Sequence, residues 1–226
     1  MRERSRYSAH QSTTETPRRY LRTRAQRWPR AVATALGNAG VRPNAVSLLS
    51  IAFAILAGIS LWRSGMMGGD WFSLVVAAAA IQLRLLCNML DGLLAVEGGF
   101  KSKLGDLYNE IPDRIADVFI LIGAGYAGRG LPYGEVLGWS AALLALMTAY
   151  IRLLAGSLGA RQLFIGPMAK QHRMFVLTVG CLAAALEQAQ LGTARAIYAA
   201  LLIIVAGSAV TVIRRILRLA NELESR

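Results

Sequence analysis

Residues 88–113 read NMLDGLLAVEGGFKSKLGDLYNEIPD, and this stretch carries the most informative pattern of the chain. Asn88 and Asp91 lie three residues apart at the end of one apolar segment, and Asn109 and Asp113 lie four apart at the start of the next. Residues three or four apart share a helix face, so two neighbouring helices would direct these oxygen-bearing side chains at one point. Oxygen ligands suit a hard divalent cation. Because ionisable groups are costly inside membrane-length segments, the stretch predicts a functional site at the ends of two membrane helices.

The rest of the chain has the composition of an integral membrane protein. Its 226 residues are 55% hydrophobic, and about 20 apolar residues make one membrane-spanning helix. The fold is therefore expected to be all-α and polytopic, a single membrane domain over residues 17–226. The apolar segments predict six transmembrane helices, at 44–63, 72–95, 104–127, 134–156, 171–189 and 195–214.

The segment before the first span is basic and amphipathic. Residues 18–40 carry six arginines, with Tyr20, Leu21 and Trp28 between them. This pattern predicts an interfacial helix lying on an anionic leaflet, and a solvated basic arm is the alternative. Residues 1–16 are polar and have no apolar core, which predicts a disordered arm rather than a signal peptide.

The charge distribution predicts the orientation in the membrane. The net charge is +12, and the basic residues cluster beside the spans, as the positive-inside rule and anionic lipids favour. We therefore expect membrane lipids rather than nucleic acid as partners. Residues 1–43 hold ten Lys and Arg, whereas the opposite side has Arg63, Arg129 and Arg195. Both termini and the 88–113 site are expected to be cytoplasmic, in a bacterial-type inner membrane.

With this spacing the chain resembles the CDP-alcohol phosphotransferase family. The family signature is Asp-x₂-Asp-Gly-x₂-Ala-Arg-x₈-Gly-x₃-Asp-x₃-Asp, and this chain reads Asn88-x₂-Asp91-Gly92-x₂-Ala95-Val96-x₈-Gly105-x₃-Asn109-x₃-Asp113. The segment Pro43-Asn44-Ala45-Val46-Ser47 also resembles the Pro-Asn-x-x-Thr/Ser motif before the family's first span. The resemblance covers about residues 20–220 and implies six spans behind a basic N-terminal helix.

Three signature positions differ in this chain. Asn88 and Asn109 stand in place of the first and third aspartates, and Val96 stands in place of the arginine. The resemblance implies that the aspartates hold two divalent cations, or one in some states, and that the last one, Asp113, is the catalytic base. For this chain it implies Mg²⁺ or Mn²⁺ as cofactor. The expected metal ligands are Asp91, Asp113, Asn88 and Asn109, and Asp117, one helical turn further on, could add a third carboxylate.

The same resemblance places the substrates. Gly92, Ala95 and Gly105 would let helices and nucleotide approach closely, and Asn44 and Ser47 lie at the start of the first span. These five residues form the expected CDP-alcohol site. The expected acceptor or phosphate ligands are Lys170, Arg173 and Arg152, although basic residues there also serve as topology signals. Arg84, seven residues before Asp91, would bridge to a carboxylate or bind phosphate.

The function that the resemblance implies is enzymatic. Members transfer a phosphatidyl or similar group from a CDP-alcohol, here expected to be CDP-diacylglycerol (CDP-DAG), to an acceptor hydroxyl and release CMP, in phospholipid biosynthesis. The alternative is a catalytically degenerate member that binds lipid, nucleotide or a membrane partner. The identity of the acceptor alcohol stays open. The resemblance implies a homodimer, and Gly123, Ala124 and Gly125 offer a small-residue face for helix packing.

Overall fold

The computed structural model describes residues 27–97 and 105–225. This part of the chain forms seven helices and contains no strand. The helices are α1 Arg27–Asn38, α2 Pro43–Met66, α3 Trp71–Glu97, α4 Gly105–Ala127, α5 Gly134–Ser157, α6 Lys170–Leu191 and α7 Arg195–Glu224. The predicted arm over residues 1–16, and residues 18–26 of the predicted interfacial helix, lie outside the described residues.

The helix ends lie close to the predicted spans, with one exception. Pro43 is the first residue of α2. Because N–H groups in the first turn of a helix have no intrahelical acceptor, a proline there costs no hydrogen bond, and its fixed φ suits a helix. At the other end of the chain the span predicted at 195–214 lies within a longer helix, because α7 continues to Glu224. Hydropathy marks where the apolar segment ends, and a helix can continue into polar surroundings beyond it.

The six long helices form a closed ring. Going round it, α2 packs on α3, α3 on α6, α6 on α7, α7 on α5, α5 on α4, and α4 again on α2. Apolar side chains from these helices fill the middle, among them the fully buried Leu61, Ile81, Ile120, Leu177 and Ile204. The short helix α1 lies against α3, where Ala33 shares a small apolar cluster with Leu90 and Leu94. It is therefore placed beside the C-terminal end of α3.

Five of the described helices are long and apolar enough to cross a membrane: α2, residues 71–94 of α3, α5, α6 and α7. Large apolar side chains cover their outer faces, as a lipid environment requires, and examples are Leu48, Leu143, Phe175 and Ile203. The predicted third span, α4, is not among the five. Its first 13 residues include five charged ones: Asp106, Glu110, Asp113, Arg114 and Asp117.

Glycines let α4 approach both of its neighbours. A Cβ added to Gly123 would lie 2.6 Å from the Gly58 carbonyl oxygen of α2, and one added to Gly125 would lie 2.8 Å from the Gly138 Cα of α5. The small residues of α4 are thus used for packing inside the chain. They therefore lend no support to the expected homodimer, which stays a prediction.

Candidate active site

Asn88, Asp91 and Asp113, three of the residues predicted from the 88–113 stretch, lie at one end of the ring. There α3 ends, while α2, α4 and α6 begin. Ser47 of α2 donates a hydrogen bond to Asp91 of α3 at 2.8 Å, and Asn88 of α3 donates to Asp113 of α4 at 2.7 Å. Lys170, the first residue of α6, forms an ion pair with Asp113. Four helices therefore contribute to one polar cluster, which we call the α2–α3–α4–α6 site.

Asp91 differs from the other carboxylates of the predicted metal set. Asp113 and Asp117 both pair with an arginine, and no such pair to Asp91 is found among the described residues. It is 4% exposed, and its Oδ2 accepts the Ser47 hydrogen bond. Its Oδ1 is buried without a hydrogen-bond partner among the described residues. A buried carboxylate oxygen without a donor is costly, so this atom is suited to meet a cation or a ligand.

Asp113 is surrounded by donors. Its Oδ1 accepts from Asn88 Nδ2 and, at 3.3 Å, from Arg84 NH2. Its Oδ2 accepts from the Lys170 ammonium. Arg84 NH2 also reaches the main-chain oxygen of Asp113 at 3.2 Å. The side chain is 15% exposed, so Asp113 keeps a path to the bundle surface that Asp91 has largely lost.

Asp117 is the centre of a buried ion-pair triad. Arg84 donates to its Oδ1 at 2.9 Å and Arg173 donates to its Oδ2 at 3.2 Å. All three side chains are almost completely buried. Arg173 NH1 also donates to Thr148 of α5 and to the Met168 main chain. The predicted carboxylate bridge of Arg84 is confirmed, whereas Asp117 has both oxygens engaged by arginines and its role as a metal ligand stays a prediction.

A second ion-paired group lies on the same helix end. Glu110 pairs with Arg114, one turn along α4 at 2.8 Å, and with Arg152 of α5. The Arg152 guanidinium also lies 5.9 Å from the centre of the Phe164 ring, a cation–π distance. The predicted phosphate ligands Lys170, Arg173 and Arg152 are thus all paired with carboxylates, and their roles toward substrate stay predictions.

The connection between α5 and α6 is bound to α7 by hydrogen bonds that were not predicted from the sequence. Arg215 Nε donates to the Ile165 carbonyl at 3.0 Å, and the Thr211 hydroxyl accepts from the Met168 N–H at 3.0 Å. Ser208, Thr211 and Arg215 are all buried. Their spacing of three and four residues places them on one face of α7, and this polar face in an apolar helix is the sequence pattern that could have predicted the contact. By fixing this connection, α7 fixes where Lys170 begins α6.

For several other predicted residues the structure gives the position in a helix. Asn44 is exposed in the first turn of α2, and Gly92 is partly buried in α3 near Asp91. Ala95 and Asn109 lie in helices whose ends carry the site, and Gly105 opens α4. The side chains of Ala95 and Asn109 fall outside the described set, and so does the connection over 98–104.

The described donors suit one kind of metal ion. Carboxylate and amide oxygens favour hard divalent cations, and Asp91 Oδ1 is a buried carboxylate oxygen without a hydrogen-bond partner among the described residues. Within residues 27–97 and 105–225, no group of three or more His, Cys, Asp or Glu side chains that could hold a metal is present. Among these described residues, amide and main-chain oxygens are the further oxygen ligands that could join the carboxylates.

Comparison with solved structures defines the fold. The chain superposes on the crystal structure of phosphatidylinositol phosphate synthase from Mycobacterium tuberculosis with CDP-DAG bound, with a TM-score of 0.70 and 19% identity, covering 86% of this chain and 94% of that one. The structure of that enzyme in complex with manganese and citrate gives a TM-score of 0.71 at 18% identity, covering 84% and 88%. The chain therefore has the fold of a phosphatidylinositol phosphate synthase.

Sequence comparison leads to the same class of protein. The chain is 29% identical over 168 residues to the phosphatidylinositol phosphate synthase of Mycolicibacterium smegmatis, covering 71% of each chain. It is 26% identical over 152 residues to the inner membrane protein YnbA of Escherichia coli, covering 65% of this chain and 69% of that protein. No protein-family model matches the chain. Its relatives and structural neighbours thus include CDP-alcohol phosphatidyltransferases, the family that the signature spacing resembles.

Proposed function

We propose that the protein is a divalent-metal-dependent CDP-alcohol phosphatidyltransferase of phospholipid biosynthesis. It would transfer the phosphatidyl group of CDP-DAG to an acceptor hydroxyl and release CMP. The observation that carries the proposal is the meeting of Asp91 and Asp113, with their neighbours Ser47 and Asn88, at one end of the helix ring. The fold shared with a synthase crystallised with CDP-DAG supports it.

The residues of the chain divide the chemistry between them. Asp91 would hold the cation, Mg²⁺ or Mn²⁺, and Asn109 would be its amide ligand, whereas Asn88 and Asp113 contact each other. Bound there, the cation would neutralise the pyrophosphate and stabilise the leaving CMP. Asp113 would accept the proton of the acceptor hydroxyl as its oxygen attacks phosphorus and the bond to the CMP oxygen breaks.

Other residues would position the two substrates. Gly92 and Gly105 carry no side chain, so the nucleotide could lie close to the backbone, with Ala95, Asn44 and Ser47 beside it. Lys170 and Arg152 have partly exposed side chains and would be able to exchange a carboxylate partner for an acceptor phosphate. Arg173 is 1% exposed, so in this arrangement it would act by holding Asp117 and the start of α6.

We also propose six spans, with α4 as the third. The closed ring supports this, because α4 packs between α2 and α5. Four of its charged residues, Glu110, Asp113, Arg114 and Asp117, pair with other side chains of the bundle. The amphipathic helix α1 would lie at the membrane interface beside the site. Both termini and the site would then be cytoplasmic, where CDP-linked donors are made available, and the homodimer of the family would be formed by surfaces other than the α4 glycines.

The test is an assay of the purified protein in detergent. It would receive labelled CDP-DAG, Mg²⁺ or Mn²⁺, and a pool of acceptor alcohols, among them glycerol 3-phosphate, inositol phosphate and serine. We expect metal-dependent CMP release and a new labelled lipid that identifies the acceptor, and we expect Asp91→Asn to lose both. A folded protein that releases no CMP with any acceptor would contradict the proposal and favour the non-catalytic binding role.

A further inference from the structure

The acidic residues of the α2–α3–α4–α6 site differ in how their charge is compensated. Asp117 lies between two arginines, and Asp113 pairs with the Lys170 ammonium. Asp91 accepts a neutral hydrogen bond from the Ser47 hydroxyl, and no ion pair to it is found among the described residues. Of the three carboxylates, Asp91 is thus the one whose negative charge an added cation would neutralise.

The orientation of Asn88 argues against a cation between Asn88 and Asp113. Asn88 Oδ1 accepts from the Ser50 hydroxyl at 2.5 Å, and Nδ2 donates to Asp113 Oδ1 at 2.7 Å. An ionised carboxylate only accepts hydrogen bonds, whereas a hydroxyl can donate, so the network itself fixes which end of the amide meets Asp113. Asn88 therefore turns its donor, and not its oxygen, toward Asp113.

Lys170 is held where it meets Asp113. The residues before it are fixed by the Met168 N–H, which donates to Thr211, and by the Met168 carbonyl, which accepts from Arg173. A lysine ammonium is a compact point charge, so it can neutralise a carboxylate much as a small cation does. With Asn88 on Oδ1 and Lys170 on Oδ2, both oxygens of Asp113 are occupied by groups of the protein.

The charge of the connected side chains supports a single added ion. Asp91, Asp113 and Asp117 carry three negative charges, and Lys170, Arg84 and Arg173 carry three positive ones. One divalent cation would leave an excess of about two positive charges, which a pyrophosphate diester matches. A second would leave about four in a largely buried site, and uncompensated buried charge is strongly unfavourable.

We infer that this chain binds one divalent cation per site, at Asp91, and that the Lys170 ammonium supplies at Asp113 the positive charge that a second cation would supply. This deepens the proposed function and rests on it only in requiring that a divalent cation binds. It predicts a binding stoichiometry, which is measured without turnover.

The test is a titration of the purified full-length protein with Mn²⁺, in which electron paramagnetic resonance of the hydrated ion reports the free concentration. The wild type should bind one Mn²⁺ per chain. The double variant Asn88→Asp/Lys170→Met, which replaces a donor by a carboxylate and removes the ammonium, should bind two. Arg161→Met, which removes one exposed positive charge from the same α5–α6 connection, is the matched control and should remain at one.

Other outcomes overturn the inference in distinguishable ways. A wild type that binds two Mn²⁺ and releases CMP overturns it while the proposed function stands. A folded double variant that remains at one ion shows that Lys170 does not take the place of a cation. A wild type that binds no Mn²⁺ overturns the inference, and absence of CMP release in the separate assay would then remove the metal-dependent function as well.

Discussion

The Asn88 side-chain amide of α3 donates to the Asp113 carboxylate of α4 at 2.7 Å. An aspartate at position 88, as the family signature has it, would place two acceptors face to face at this contact. Like charges this close raise each other's cost of ionisation unless a cation lies between them. The amide of Asn88 therefore meets the Asp113 carboxylate as a donor, and this contact needs no cation between the two side chains.

This contact predicts how Asn88→Asp behaves without metal. In the presence of a chelator the variant should lose about 1–3 kcal/mol of stability, because Asp113 loses a donor and gains a negative neighbour. The measurement is thermal unfolding in detergent, with Asn38→Asp at the exposed end of α1 as control. Added Mn²⁺ should reduce the difference in melting temperature between the variant and the wild type. An unchanged melting temperature in chelator would show that the amide does not support Asp113.

Asp113→Asn should remove the proposed general base while keeping the size and shape of the side chain. General base catalysis typically contributes about 10²–10⁴-fold, so CMP release should fall by a factor in this range. Asp70→Asn is the matched control, because Asp70 lies between α2 and α3 at the other end of the bundle. If Asp113→Asn kept most of the wild-type rate, another group would have to take the proton.

The triad around Asp117 predicts an order of stabilities. Asp117→Asn leaves two buried arginines without their shared counter-ion, and breaking a buried pair from one side costs about 3–5 kcal/mol. Arg173→Met should cost less, because Arg84 and Asp117 still balance each other at 2.9 Å. Melting temperatures of the two variants in the same detergent test this. Equal losses, or a larger one for Arg173→Met, would contradict the shared-charge arrangement.

The sequence predicts the helices and one contact of the site well, for physical reasons. Long apolar segments must become helices in a membrane because every backbone group needs an internal partner. The three- and four-residue spacings place Asn88 and Asp113 on faces that can meet, and the structure joins them.

The remaining contacts depend on which helices become neighbours, and local spacing does not contain that information. Lys170 and Asp113 are 57 positions apart, and Arg173 and Asp117 are 56 apart. A basic residue at the start of a span serves equally well as a topology signal. Its ion-pair partner is therefore known only once the packing of the helices is known. The same holds for Gly125, whose close neighbour is on α5 and not on a second copy.

The glycine contact between α4 and α5 gives a prediction about packing. In Gly125→Ala the new methyl group would lie 2.8 Å from the Gly138 Cα, and backbone cannot move aside as a side-chain tip can. Overpacking typically costs about 1–3 kcal/mol, so the melting temperature should fall. Gly130→Ala, where an added Cβ meets nothing within 4 Å, should melt like the wild type. Similar melting temperatures for the two variants would mean that α4 and α5 lie farther apart than this contact indicates.

The proposed orientation can be tested with single cysteines at the two ends of α5. Ser157 and Tyr133 are both exposed and flank this helix, whereas the native Cys87 and Cys181 are buried and should give little background. In intact cells a membrane-impermeant maleimide should label Tyr133→Cys, because the proposed orientation places its end of the bundle outside the cytoplasm. Ser157→Cys, at the end that carries the site, should react only after the cells are opened. The reverse pattern would place the site on the outer face, away from the CDP-linked donors that the proposed reaction needs.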